Sequence, residues 1–394
     1  MVRSKIGNSD IDILFFERPV ADLKKFAFKI AKIIKSAHPE IRLGAVCIEF
    51  PGDKNDIDEY YHWDTMKNDI DGFLIEKKVK MIVLSNYRIP DIELILHAKH
   101  LGIKIVLIQE GLIYDGISIN DVSTKNIVTS FVTYFEKSVS YVKTILRMCR
   151  YSKKNCVKVL LEIVRKKKNI TITLANSFNE PLLADYVFTM GKHWEKYYTE
   201  TVGYSIDQLR LVGDHDLDDF VLQASNENAI CYIATVLVED GTVKKEDFIH
   251  FIEALSASVP NETKMYLKLH PRSDLSLYEA LQKENVVFVD QSGYLPSVNL
   301  YIGHRGSLIG KALYESDNLI LWQFPDEDYC FYEAFASAVV SNEQMLKATI
   351  EKIDISCKTN LKRERIESYY WKNPNGAINS ITNYILSYLQ NSCI

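Results

Sequence analysis

The sequence predicts an α/β protein built as two Rossmann-like, doubly wound domains, with helices at the C-terminal end. Three observations carry that prediction. Short apolar runs of strand length alternate with segments of helical period along most of the chain, the pattern of parallel sheets covered on both faces. The 394 residues exceed what one core ordinarily organises, and divide most simply into two domains of roughly 180 to 200 residues. Finally, two apolar runs, Leu267-Lys268-Leu269-His270-Pro271-Arg272 and Leu300-Tyr301-Ile302-Gly303-His304-Arg305-Gly306-Ser307, end abruptly in imidazole, guanidinium, glycine or hydroxyl. Those are the groups a parallel sheet presents to a phosphate at its carboxyl edge.

In the first half, Ile11 to Phe16 reads as a strand, and Ala21 to Ser36 as a helix with one buried stripe of Leu23, Phe26, Phe28, Ile30, Ile33 and Ile34. Leu43 to Phe50 is the next strand, stopped by Pro51-Gly52. Asp64 to Lys77 is expected to be helical and Lys80 to Leu84 a third strand. Asp91 to Leu101 is a helix closed by Gly102, and Ile103 to Ile108 a fourth strand that runs into Gln109-Glu110-Gly111. From Lys137 to Lys168, eleven lysines and arginines face only Glu162, with apolar residues such as Val142, Leu146, Val157, Leu161 and Val164 between them at helical spacing. That composition predicts a basic amphipathic helix pair, either a solvated hairpin or a surface that meets anionic lipid or a polyanionic acceptor. Ile170 to Leu174 and Ala184 to Gly191 read as strands, and Leu209 to Asp214 as the last strand of a domain spanning 1–215.

A polar linker between Gly213 and Asn226 leads into the second domain, 216–394. Its acidic residues Asp214, Asp216, Asp218 and Asp219 read as hinge and helix-start residues rather than metal ligands. Strands are expected at Ala229 to Val236, Met265 to Leu269, Val286 to Val289, Leu300 to Ile302 and Leu319 to Trp322. Helices are expected at Lys245 to Ala257, Leu275 to Lys283, Ser307 to Tyr314 and Asn342 to Ile353, and in the tail from Leu361 to Leu389. Two such units in series predict a ligand cleft between them, at the carboxyl ends of both sheets.

Composition narrows the function. A net charge of −5 gives no global reason to expect a nucleic-acid partner. Seven scattered cysteines, none in a C-x-x-C pair, predict neither a disulfide framework nor a zinc site, and fit a reducing cytoplasm. No apolar run approaches the roughly 18 residues of a spanning helix. Neither G-x-S-x-G nor a Walker A sequence is present. No metal and no cofactor are expected.

The candidate site residues follow from the strand tips. His270 is held by Pro271, which biases the preceding residue to an extended shape, so its ring either donates to a phosphate oxygen or caps a structural turn. Arg272 adds a second donor. Gly306-Ser307 opens a helix whose free N–H groups make an anion site, or else a bare cap; His304 and Arg305 lie beside it. Glu110, followed by Gly111, is placed to take a proton from an acceptor hydroxyl, unless it caps a helix or pairs with a lysine. Tyr114 and Asp115 are substitutes. Glu239-Asp240-Gly241 also ends a strand-plus-loop, but reads as a loop and cap signal.

At these residues the chain resembles the bacterial sialyltransferases of the GT-B fold, including the polysialyltransferase and lipooligosaccharide sialyltransferase groups. His270-Pro271 matches their H-P motif, Gly306-Ser307 matches in part their serine pair, and Gln109-Glu110-Gly111 matches in part their acidic motif, with glutamine in the first place. The resemblance implies an inverting, metal-independent glycosyltransferase that moves sialic acid or a related nonulosonic acid from a CMP donor to a glycan acceptor of the bacterial surface. It implies Glu110 as general base and His270 on the donor phosphate. The K-L-H-P-R run is also similar to the CDP-glycerol and CDP-ribitol phosphotransferases, and the double domain to the sugar nucleotide 2-epimerases. A non-catalytic scaffold that binds nucleotide sugar is the reading of another class.

Overall fold

The computed structural model describes residues 10–17, 20–51, 55–110, 127–166, 170–220, 222–224, 228–289, 294–304, 306–314, 316, 318–324, 333–353 and 363–391. The chain divides into two compact units. One comprises Met1–Asp218 and Trp371–Ile394, the other Asp219–Tyr370.

The first unit is built on seven parallel strands: β1 (Ile13–Phe16), β2 (Leu43–Cys47), β3 (Glu59–His62), β4 (Met81–Leu84), β5 (Lys104–Ile108), β6 (Tyr186–Thr189) and β7 (Leu209–Leu211). They lie in the order β3-β2-β1-β4-β5-β6-β7. β1, β2 and β4 are buried along their whole length, as strands covered on both faces must be. Chain order reverses between β1 and β4, and that reversal opens a crevice at the carboxyl ends where ligands bind in sheets of this type. Gly102, at φ +70°, turns the chain from helix Ile89–His100 into β5.

The second unit carries a six-stranded parallel sheet and a short two-stranded one. The strands are β8 (Leu222–Ala224), β9 (Ile230–Ile233), β10 (Met265–Lys268), β11 (Val286–Val289), β12 (Leu295–Ser297), β13 (Leu300–Gly303), β14 (Leu319–Trp322) and β15 (Ala338–Val340). The large sheet runs β11-β10-β9-β13-β14-β15, and β12 pairs with β8. Here the reversal falls between β9 and β13. Both units are therefore the doubly wound layers that the apolar runs predict.

Three features differ from expectation. Glu59–His62 is a strand that pattern reading passes over, because it is a half-buried edge strand rich in polar residues. Ile170 to Leu174 is not a strand: Ile170–Ala175 is a helix with Thr173, Leu174 and Ala175 buried, a tertiary override of the β-branched composition. The tail does not belong with the second unit. Helix Ala377–Asn391 buries Ile378, Ile381, Ile385 and Leu389 in the core of the first unit. Both carboxylate oxygens of Asp218 cap it, accepting from the N–H groups of Ala377 and Ile378 at 2.8 Å each. Tyr388 stacks on Tyr186 with ring centroids 3.8 Å apart. Placing this helix in 216–394 followed chain order, whereas its apolar stripe completes the other core.

Candidate functional site

In the first unit, polar side chains gather where β1, β4 and β5 end. Gln109 and Glu110 follow β5. The Gln109 side chain is buried and accepts from Met190 N at 3.2 Å, so the amide that stands in the first place of the acidic motif ties β5 to the end of β6. Glu110 turns the other way. Its carboxylate is 15% exposed and ion-paired with Lys25, at the end of helix Val20–Lys25. Its Oε2 lies 3.2 Å from Ser85 Oγ and accepts from Asn86 Nδ2 at 3.2 Å. Those two residues follow β4, so Glu110, just past β5, is held by donors from the neighbouring strand and from helix Val20–Lys25.

Behind Ser85 lies a residue that motif reading missed. Glu17, directly after β1, is wholly buried. Its Oε1 accepts from Ser85 N at 2.9 Å and from the Ser85 hydroxyl, and its Oε2 accepts from Arg88 Nη2 at 3.1 Å. Arg88 is shared: Nε reaches Asp91 Oδ2 at 2.8 Å and Nη2 reaches Oδ1 at 3.2 Å, and Asp91 is itself buried. Loss of solvent pushes the Glu17 carboxyl up to about 7; Arg88 opposes the rise and Asp91 adds to it. The available signal was the one that marked Glu110, a carboxylate at the end of an unbroken apolar run. A single acid with no partner at motif spacing does not stand out in sequence.

In the second unit His270 sits just past β10. Its Nδ1 accepts from Arg272 N at 3.1 Å, and its backbone N–H donates to Ser273 Oγ at 3.1 Å. An Nδ1 engaged as acceptor leaves the proton of the neutral ring on Nε2. Burial lowers the pKa of His270, and the nearby Arg272 charge lowers it further. The ring is thus a neutral Nε2–H donor at neutral pH. Pro271 is exposed in the turn.

Arg272 is engaged elsewhere. Its guanidinium grips Asp240 with two bonds, Nη1 to Oδ1 at 2.8 Å and Nη2 to Oδ2 at 3.1 Å. Glu239 accepts from Asp274 N at 2.8 Å. The Glu239-Asp240-Gly241 loop therefore clamps the His270 turn from both sides, with Gly241 at φ +70° to make the bend.

His304 is a correction. It is completely buried, with Nε2 3.0 Å from the Tyr232 hydroxyl and Nδ1 3.1 Å from the Trp322 carbonyl. Its ring stacks on Phe324 and meets Phe251 edge-on. Both ring nitrogens are used inside the unit, so His304 holds the core rather than a phosphate. Gly306 lies beside it at φ +145°, a conformation that favours glycine, and a Cβ there would come within 3.3 Å of Thr235 Cγ2. Thr235, which follows β9, has a buried hydroxyl without a hydrogen-bond partner among the described residues. Ser307 begins helix Ser307–Ala312. Gly111, Tyr114, Asp115 and Arg305 lie outside the described residues.

Among the described residues one group has cation-like spacing: ligand atoms of Asp214, His215 and Asp216 lie within 4.8 Å of one another. Asp214 already serves as a cap, its Oδ1 accepting from Asp216 N at 3.0 Å. No described helix is long and apolar enough to cross a membrane.

The basic segment forms helices Ile127–Tyr151 and Cys156–Lys166. One of its cations is paired with a buried acid. Arg147 holds the buried Glu93 with two bonds, Nε to Oε1 at 2.7 Å and Nη2 to Oε2 at 2.6 Å, which docks the long helix on helix Ile89–His100. On the shorter helix Val157, Leu161 and Val164 are 65%, 63% and 63% exposed. Their spacing puts them on one face.

No protein-family model matches the chain, and no curated protein matches it. Solved structures do. A putative UDP-N-acetylglucosamine 2-epimerase from Listeria monocytogenes is similar at TM-score 0.54 and 11% identity, over 97% of this chain and 98% of that one. The wall teichoic acid polymerase TagF is similar at TM-score 0.56 and 10% identity, over 98% and 91%. A UGT transferase from Siraitia grosvenorii, solved with UDP, is similar at TM-score 0.52 and 10% identity, over 97% and 100%. At such identities the likeness is one of architecture: this chain has the pair of Rossmann-like layers of the GT-B class.

Proposed function

We propose that the protein is an inverting, metal-independent glycosyltransferase that moves sialic acid or a related nonulosonic acid from a CMP donor to a hydroxyl of a bacterial surface glycan. The observation that carries this reading is chemical division between the units. One ends its central strands in a held carboxylate, Glu110, and the other ends its own in a neutral imidazole donor, His270, with Gly306 and the Thr235 hydroxyl at the neighbouring switch point. In the proposed reaction Glu110 takes the proton of the acceptor hydroxyl, whose oxygen bonds to the anomeric carbon as the bond to the CMP phosphate breaks. His270 Nε2–H steadies the charge that develops on that phosphate, helped by the backbone of the Gly306-Ser307 turn. Positioning supplies much of the remaining acceleration.

A second reading, a UDP-sugar enzyme or a CDP-glycerol phosphotransferase, is favoured by the solved relatives of the fold, which include an epimerase, TagF and a transferase holding UDP. A thermal-shift panel of CMP, CDP, UDP and GDP tests between them. Stabilisation by CMP alone is expected; with ligand at about 100 times its Kd, the gain is about 2.7 kcal/mol. Stabilisation by UDP or CDP alone replaces the sialyl reading with one of the others.

We also propose that the basic hairpin of residues 137–168 meets anionic membrane. The exposed Val157-Leu161-Val164 stripe is flanked by exposed Lys158, Arg165 and Lys166, the surface an interfacial helix presents to charged headgroups. Neutralising Lys166 together with its neighbours Lys167 and Lys168 is expected to weaken sedimentation with phosphatidylglycerol vesicles, most at low salt. Unchanged sedimentation returns the hairpin to solvent.

A further inference from the structure

Glu17 has no part in the reaction proposed above, yet its placement is not that of a structural acid. A buried carboxylate is ordinarily offset by a cation of its own, but Arg88 is also claimed by Asp91. Among the described residues, the charged groups that face Glu17 are these two, from the start of helix Ile89–His100, and, through Ser85, Glu110 with its partner Lys25.

The Ser85 hydroxyl is the deciding element. It lies within hydrogen-bond reach of Glu17 Oε1 and, at 3.2 Å, of Glu110 Oε2, while Asn86 Nδ2 donates to it at 2.9 Å. A serine hydroxyl carries one proton, so it can donate to only one carboxylate at a time. Both contacts are satisfied together only when one of the two carboxyls is itself protonated and donates to Oγ. The two carboxyls thus best hold one proton between them in addition to the hydroxyl's own, which is the arrangement of a relay rather than of a static cap.

We propose that Ser85 and Glu17 form a proton relay behind Glu110. A proton taken by Glu110 passes from Oε2 to Ser85 Oγ as the proton of Ser85 passes to Glu17 Oε1. Glu110 returns to its anionic form without waiting for solvent, and the reverse movement, after product leaves, releases the proton through the partly exposed Glu110. The inference rests on Glu110 being the acceptor of the hydroxyl proton. Glu17 is a positioning residue for the proton and touches no substrate.

The relay accepts a proton only while Glu17 is a carboxylate. Since burial holds that carboxyl near 7, turnover should rise as pH rises through about 7 and level off above it. The experiment follows CMP release from a CMP-sialic acid donor between pH 5.5 and 9 in the full chain, with infrared titration of the protonated carboxyl band as an arm that needs no substrate. Glu17→Gln and Ser85→Ala are each expected to lower the alkaline plateau about tenfold and to remove the rise near pH 7. In the infrared arm the band should titrate near pH 7, vanish in Glu17→Gln, and move to lower pH in Glu110→Gln, but not when Ser85→Ala is also present.

Should Glu17→Gln not fold, Ser85→Ala and the infrared arm still decide. Intact pH limbs in both variants, or a Glu17 band indifferent to Glu110→Gln, overturn the relay. If Glu110→Gln alone abolishes turnover under those conditions, the general base survives the relay's failure. Full turnover in Glu110→Gln instead overturns the base, and the relay with it.

Discussion

Glu110→Gln is expected to reduce turnover by about two orders of magnitude or more while leaving nucleotide affinity within about twofold. The substitution is nearly isosteric, and the amide oxygen can still accept from Ser85 and Asn86, which now hold Oε2. What it loses is the capacity to bind a proton and the charge that pairs with Lys25. Because the proposed phosphate contacts all come from the other unit, binding of the nucleotide alone should not register the change. Steady-state kinetics together with calorimetric titration of CMP checks this. Comparable losses in both would assign Glu110 a structural role at the end of β5, and the ion pair with Lys25 would then be its purpose.

His270→Ala is expected to lower kcat/KM for the donor by about 10². Nearly all of that loss should trace to one donor, because the fold already fixes which nitrogen carries the proton. His270→Asn, which can present an N–H to the same oxygen, should recover part of it. The pH dependence has a definite sign. Burial, and then the charge of Arg272, hold the ring below the ordinary histidine value of 6.5, so it stays neutral as pH rises above 7 and its contribution is flat there. On acidification the ring gains a proton at Nδ1, which then opposes the Arg272 N–H that it had accepted, and the turn loosens. Kinetics of the two variants across pH 5.5 to 8.5 checks this. A loss in His270→Ala that affects thermal stability and activity alike would make the histidine a cap of its turn.

The inner strands of the large sheets were legible because burial on two faces demands unbroken apolar runs, as at Met265–Lys268 and Leu319–Trp322. Edge strands escape that rule: Glu59–His62 and Ala338–Val340 are half-buried or short. The site was legible in part. A polar residue at a strand tip marks Glu110 and His270, both of which the fold leaves partly exposed, but the same sign marks His304, whose ring turns inward among Tyr232, Phe251 and Phe324. Which way a side chain leaves the last pleat depends on register and on the layer above it, and one chain's letters do not encode either. Glu17 shows the converse, since its importance comes from what surrounds it. The apparent acidic motif at Glu239-Asp240-Gly241 is likewise explained by its bonds to Arg272 and Asp274, which only the folded loop brings together.

The return of the last helix to the first unit sets an order of events during synthesis. Residues 219–370 form one uninterrupted stretch and have all they need for their core as soon as they leave the ribosome. The earlier unit, although translated first, must wait for Ile381, Ile385 and Leu389 to fill its interior, and bringing them to it closes a loop that spans the entire later unit. The nascent chain therefore matures from its middle outward, and loss of the final turns by proteolysis or premature termination would expose apolar surface on the half that carries Glu110.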